Sequence, residues 1–195
     1  MSACNVEVIK QVGRYYNVPV GTVCYNTDKV LTTVLNKQSI EGFATIVSKL
    51  ATSAGVKQSQ EQMLLSYQWL EHIAMYANQA AANTSFAQGF LKDINKALEK
   101  NTYLTGQSLN VTDIAAFYVL YPIIKRLSVS ELESLMHVSR WTKHIQAQPR
   151  SSATLPPLPK QILPHQLKSM SLNKPILYHP QPFSHPGYPV IVYLR

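Results

Sequence analysis

Apolar residues at Val6, Ile9, Val12 and Tyr16 are spaced by three and four along the start of the chain. That spacing puts them on one side of a helix over 5–16, with Asn5 as its cap. The pattern changes over 29–35, where Val30, Leu31, Thr32, Thr33, Val34 and Leu35 are mostly β-branched and predict a strand. Asn36-Lys37 turns the chain. Helical spacing resumes at Ile40, Phe43, Ile46, Val47 and Leu50, with Ser39 as the expected cap. Ala54-Gly55-Val56-Lys57 then reads as a linker. Ser59 and Gln62 form a capping box, in which the Ser side chain takes a free backbone N–H and the Gln reaches back to the cap. They open a long helix whose inward face is expected at Leu64, Tyr67, Leu70, Ile73, Ala74 and Ala77. Phe86, Phe90, Leu91, Ile94 and Leu98 predict a further helix over 86–100.

The next helix is apolar on nearly every side, through Ile114, Ala115, Ala116, Phe117, Val119, Leu120, Ile123 and Ile124, and so belongs inside a helical bundle. Two polar residues stand at its mouth. Asn110 and Asp113 have the three-residue spacing of a capping box, and the Asp carboxylate sits where the helix dipole favours negative charge. Pro122 should kink or end this helix. Ser128 and Glu131 cap a short helix through Met136, and Ser139 caps the next, in which Trp141 and Ile145 face inward.

Composition supports a folded body and then marks its end. Of 195 residues, 46% are hydrophobic and 14% charged, enough for a core and too few charges for a wholly disordered chain. Ten of the twelve prolines fall in 149–195, so the helical body is expected to give way there to a largely disordered tail. Within it, 155–164 has polyproline character and 188–195 is β-prone. The formal net charge is +8, of which the last 47 residues carry +5 with no Asp or Glu. The body is therefore nearly balanced, and the charge does not by itself mark a nucleic-acid-binding domain. No apolar run reaches the ~20 residues a membrane helix needs. The first residues lack the basic start and apolar core of a signal peptide. Cys4 and Cys24 make no zinc or C-x-x-C pattern, and reduced thiols of a cytoplasmic chain are expected.

A small mixed unit followed by a bundle with a capped central helix resembles the glutathione S-transferase superfamily. There a stretch of the form G-x-x-x-(S/T)-x-x-D opens the buried helix. Here it reads Gly106-Gln107-Ser108-Leu109-Asn110-Val111-Thr112-Asp113, with Asn in the cap slot. Tyr103-Leu104-Thr105-Gly106, Val138-Ser139-Arg140-Trp141 and His144-Ile145-Gln146, together with the helix over 91–100, are similar to the elongation factor 1 epsilon family. The resemblance is good over 60–149, weaker over 29–51 and absent after 150. It implies a reduced thioredoxin-like α/β unit over 1–55 and an all-α transferase-like domain over 58–149, and the Pro-rich basic tail over 150–195, read from composition, departs from the family pattern.

Transferase chemistry in that superfamily needs a thiol-activating Ser, Tyr or Cys near the first strand, a cis proline before a later strand, and a Glu/Gln-Ser pair. The place before Val30 is Lys29, not proline. Gln38-Ser39 stands where the pair would stand, which leaves Ser39 as a weak candidate for glutathione contact beside its reading as a helix cap. Cys4, Tyr15, Tyr16 and Cys24 have no supporting motif. His137 and His144 are separated by an expected helix break, and no set of residues has metal-ligand spacing. The expectation is a protein that is not an enzyme and holds no cofactor or metal.

What the resemblance implies instead is a scaffold of the multi-aminoacyl-tRNA synthetase complex, cytoplasmic and also nuclear, with a link to DNA-damage signalling. Its partners would be the transferase-like domains of methionyl-tRNA synthetase and glutamyl-prolyl-tRNA synthetase, other members of the complex, and elongation factor 1 subunits. Two contact surfaces are expected. One uses Phe43 and Val47 with Met63 at the start of the long helix; the other is built on Arg140. The rival readings are a glutathione-binding or transferase-like enzyme, and tRNA or other nucleic-acid binding through the basic tail.

Overall fold

The computed structural model describes residues 3–152 and residue 158, all within the first of two units, Met1–Lys160. The expectations for 153–157 and 159–195 lie outside the described residues. The order is α1 (Ala3–Tyr16), β1 (Cys24–Tyr25), β2 (Leu31–Leu35), β3 (Gln38–Glu41), α2 (Phe43–Ser53), α3 (Gln60–Ala82), α4 (Thr84–Ala97), α5 (Val111–Ile124), α6 (Val129–Ser134), α7 (Met136–Gln146) and α8 (Pro149–Ser152).

The strands form one antiparallel sheet in the order β1-β2-β3. Leu35 pairs with Gln38 across the two-residue turn Asn36-Lys37. Both turn residues have positive φ, 50° and 65°, the conformation whose twist matches a right-handed hairpin. That turn corrects the expected helix start at Ser39. Residues 38–41 pair with β2, and the helix begins only after Gly42, whose φ of 88° suits glycine. Ser39 is an exposed strand residue and caps nothing.

α2 ends in a Schellman-type closure. Val56 N–H donates to Ala51 O and Gly55 N–H to Thr52 O, with Gly55 at φ 81°. α3 then opens at Ser59, which accepts from Gln62 N–H while the Gln62 side chain accepts from Ser59 N–H. Only part of its expected inward face is inward. Leu70 and Ile73 are fully buried, whereas Leu64 is 60% and Tyr67 45% exposed.

α5 packs against α1, α2, α3 and α7, and every residue of it except Pro122 is buried. It runs two residues past Pro122, so the proline falls in its final turn. After the short α6, capped by Ser128 with Glu131, α7 starts at Met136. The expectation that Ser139 caps this helix is therefore corrected: Ser139 is buried inside α7 and its N–H bonds Leu135 O. The cap comes from α4, where Asn95 Oδ1 accepts from the N–H groups of His137 and Val138 at 2.9 and 3.1 Å. His137 and His144 consequently share one helix, with no break between them. α8 crosses the position at 150 where the tail was expected to begin, and Ser151 is buried there. Among the described residues no helix is long and apolar enough to cross a membrane.

Candidate partner-binding site

The outward faces of α2 and α3 meet at the surface. On α2 the inward positions are Phe43, Ala44, Ile46, Val47, Leu50 and Ala51. Phe43 and Val47 are 5% and 0% exposed, so the expectation that they contact a partner is corrected: the core already occupies them. The outward α2 residues are Thr45, Ser48, Lys49 and Thr52. Together with Gln60, Met63, Leu64 and Tyr67 of α3 they line an open cleft of about 530 Å³. Met63 is 51% exposed. Three large apolar side chains of one helix thus stand in solvent beside a concave surface, a pattern that marks interaction sites.

Arg140 is placed quite differently. It lies half-buried on α7, and its Nη2 donates to Leu98 O and Asn101 O, both at 2.7 Å. It thereby bonds the C-cap residue of α4 and the turn that follows it, while Ile94 O, Lys96 O and Ala97 O take local donors. Arg140 and the Met63 cleft are separate features, on α7 and on α2 with α3.

Behind the start of α5 lies a closed polar centre. Asp113, 0% exposed, accepts from Leu104 N–H (2.9 Å) and Trp141 Nε1–H (2.9 Å) on Oδ1 and from Asn110 N–H (3.2 Å) on Oδ2. Asn110 Oδ1 accepts from Thr112 N–H at 2.7 Å, and its Nδ2 bonds Thr105 Oγ1 and Ser66 Oγ. Gln58 Nε2 completes the chain to Ser66. Burial pushes the Asp113 carboxyl up to about 6, against the lowering effect of hydrogen bonds from Leu104, Trp141, Asn110 and its own backbone N–H. The bond from Trp141 was not visible in the sequence, since 28 residues separate the partners.

The positions considered for thiol activation do not carry the electrostatics that task needs. Burial raises the Tyr15 and Tyr16 hydroxyls, keeping both in the protonated form. Cys24 is a free thiol exposed on β1. Lys29, ahead of β2, has φ 64°, a conformation closed to proline. Among the described residues no group of three His, Cys, Asp or Glu is arranged to hold a metal.

Residues 62–149 match the family described as nuclear-export cofactor Arc1p. Eukaryotic translation elongation factor 1 epsilon-1 of Cricetulus griseus is 34% identical over 118 residues, 58% of this chain and 67% of that protein. The Homo sapiens protein of the same name is 33% identical over the same lengths. This chain belongs to the elongation factor 1 epsilon family. This chain's fold is that of the transferases. The chain superposes on the theta class glutathione S-transferase of Xanthomonas axonopodis pv. citri with a TM-score of 0.57 at 18% identity, covering 78% of this chain and 91% of that one. A glutathione transferase of Burkholderia graminis gives 0.59 at 13% identity, covering 77% and 83%. At these identities the likeness establishes architecture and carries no chemistry. Like those enzymes, this elongation factor 1 epsilon member joins a small sheet to a helical bundle.

Proposed function

We propose that this chain is a non-catalytic scaffold of translation that pairs through its transferase-like fold with the corresponding domains of methionyl-tRNA synthetase and glutamyl-prolyl-tRNA synthetase. The observation that carries the reading is the open apolar cleft of Met63, Leu64 and Tyr67 in a member of the elongation factor 1 epsilon family. A stable pairing buries roughly 1,200–2,000 Å² in total, which needs the outward faces of both α2 and α3 and not the cleft alone. Arg140 would serve a second partner. Two carbonyls hold its Nη2, so the guanidinium is already oriented and less rotamer freedom is lost on binding a carboxylate or carbonyl. The Tyr15 and Tyr16 hydroxyls, held protonated by their surroundings, and the positive φ at Lys29 favour this reading over a transferase. The cell compartments that go with it are the cytoplasm, where translation takes place, and the nucleus.

The test is light scattering after gel filtration, with the chain alone and then mixed with the transferase-like domain of methionyl-tRNA synthetase. A 1:1 complex that is lost in Met63→Asp/Leu64→Asp supports the proposal. Two separate peaks would overturn it, and glutathione binding by calorimetry with turnover of an electrophile would replace it with the enzyme reading.

A further inference from the structure

The lining of the cleft between α2 and α3 carries charge of one sign only. Lys49 stands in it, and no carboxylate does. The ion pairs among the described residues are those of Glu7 with Lys10 and Arg14, all on α1. Glu61, the acidic residue in the first turn of α3, does not line the cleft. The three N–H donors of the Lys49 ammonium therefore face solvent, with no anion of this chain to meet them. The hydroxyls on the same wall are weaker recognition groups. Thr52 Oγ1 already donates to Ser48 O at 3.0 Å, within its own helix.

The lining is also periodic. Thr45, Lys49 and Thr52 recur at four and three residues on α2, and Gln60, Met63 and Tyr67 at three and four on α3. Each wall is one helical stripe about 10 Å long, two turns at a rise of about 1.5 Å per residue. A groove bounded by two such stripes fits a third helix, whose own anchors repeat at three and four residues. With Met63, Leu64 and Tyr67 in one wall, those anchors are apolar. A helix lying there takes water away from Lys49 as well. An ammonium covered by apolar side chains costs far more than one that meets an anion. A cation brought against it is repelled.

Resting on the scaffold reading of this same cleft, we propose that its occupant is one amphipathic helix of the partner, and that Lys49 selects a helix carrying a carboxylate between two apolar anchors. The anchors fill the apolar wall. The carboxylate pairs with Lys49 and fixes the register of the helix in the groove. Lys49 thus separates the right partner from other apolar helices.

The test is surface plasmon resonance of the full chain with the transferase-like domain of methionyl-tRNA synthetase, run at several salt concentrations. Lys49→Met keeps the apolar stem and removes the charge. It should weaken the complex about tenfold and flatten the salt dependence of the association rate. Lys49→Glu should weaken it about a hundredfold, and Lys49→Arg should stay within about threefold of wild type. All three should unfold at the temperature of the wild type, since Lys49 is exposed. A Lys49→Met chain that binds as tightly as wild type, or more weakly with an unchanged salt dependence, overturns this inference and leaves the scaffold reading standing. No complex with the wild-type chain overturns both.

Discussion

Around Asp113 the protein buries a carboxylate and surrounds it with its own donors; along the first two turns of α3 it does the reverse and leaves Met63, Leu64 and Tyr67 in water. Both regions invert the ordinary partition of polar and apolar groups. The difference lies in who completes them. The polar centre is completed from within, by the segment before α5, by the cap and by α7. The apolar face is completed by nothing in the described residues, which is why the proposed partner belongs there. A buried charge without donors would not survive folding. An exposed apolar cleft costs little until something covers it.

The comparison can be broken most forcefully at Trp141. It is fully buried and meets Phe117 edge-on at 6.5 Å. Trp141→Ala should cost about 3–5 kcal/mol in urea unfolding, from cavity and lost donor together. A loss under about 1 kcal/mol would mean that the polar centre does not hold α7.

The pH dependence comes next. The folded carboxyl, near 6, lies above the ordinary Asp value, so the native state binds this proton more tightly than the unfolded chain. Its contribution is complete below about pH 4 and is lost as pH rises through about 6, on the order of 3 kcal/mol. The slope is read by subtracting Asp113→Asn from wild type in denaturant titrations, and a difference that is flat with pH would show that burial does not perturb this group.

Arg140→Ala leaves Leu98 O and Asn101 O without donors and should cost about 1–3 kcal/mol, with weaker synthetase binding as a separate readout. Asn95→Ala uncaps α7 and should cost about 1 kcal/mol in thermal unfolding. Smallest on stability is Met63→Ser, within about 0.5 kcal/mol. Its effect should appear in affinity alone, and a large loss of stability there would move Met63 into the core and end the contrast.

The sequence shows most clearly what neighbouring residues decide between themselves. The starts of α3 and α6 can be read in Ser59 with Gln62 and Ser128 with Glu131, because each box is closed within four residues. The start of α7 cannot, because its cap, Asn95, is supplied across more than forty residues. Residues 38–41 were misread because Ile40, Phe43 and Val47 keep a helical period, while the left-handed turn at Asn36-Lys37 draws the segment into the sheet. Periodicity also tells which residues share a face and not which face is inward. That is why Phe43 and Val47 were assigned to the surface, and why Leu64 and Tyr67 were assigned to the core.

One consequence of the α4–α7 pairing concerns synthesis. Asn95 ends the backbone deficit at the head of α7, and Arg140 ends it at the foot of α4, 42 residues away from Leu98. On the ribosome α4 is made first, before the arginine that bonds its cap residue. At elongation rates of about 5–20 residues per second, it waits for seconds before the arginine that finishes it exists. Each helix end thus takes its last bonds from a residue of the other helix, and those bonds form only once both segments have been made.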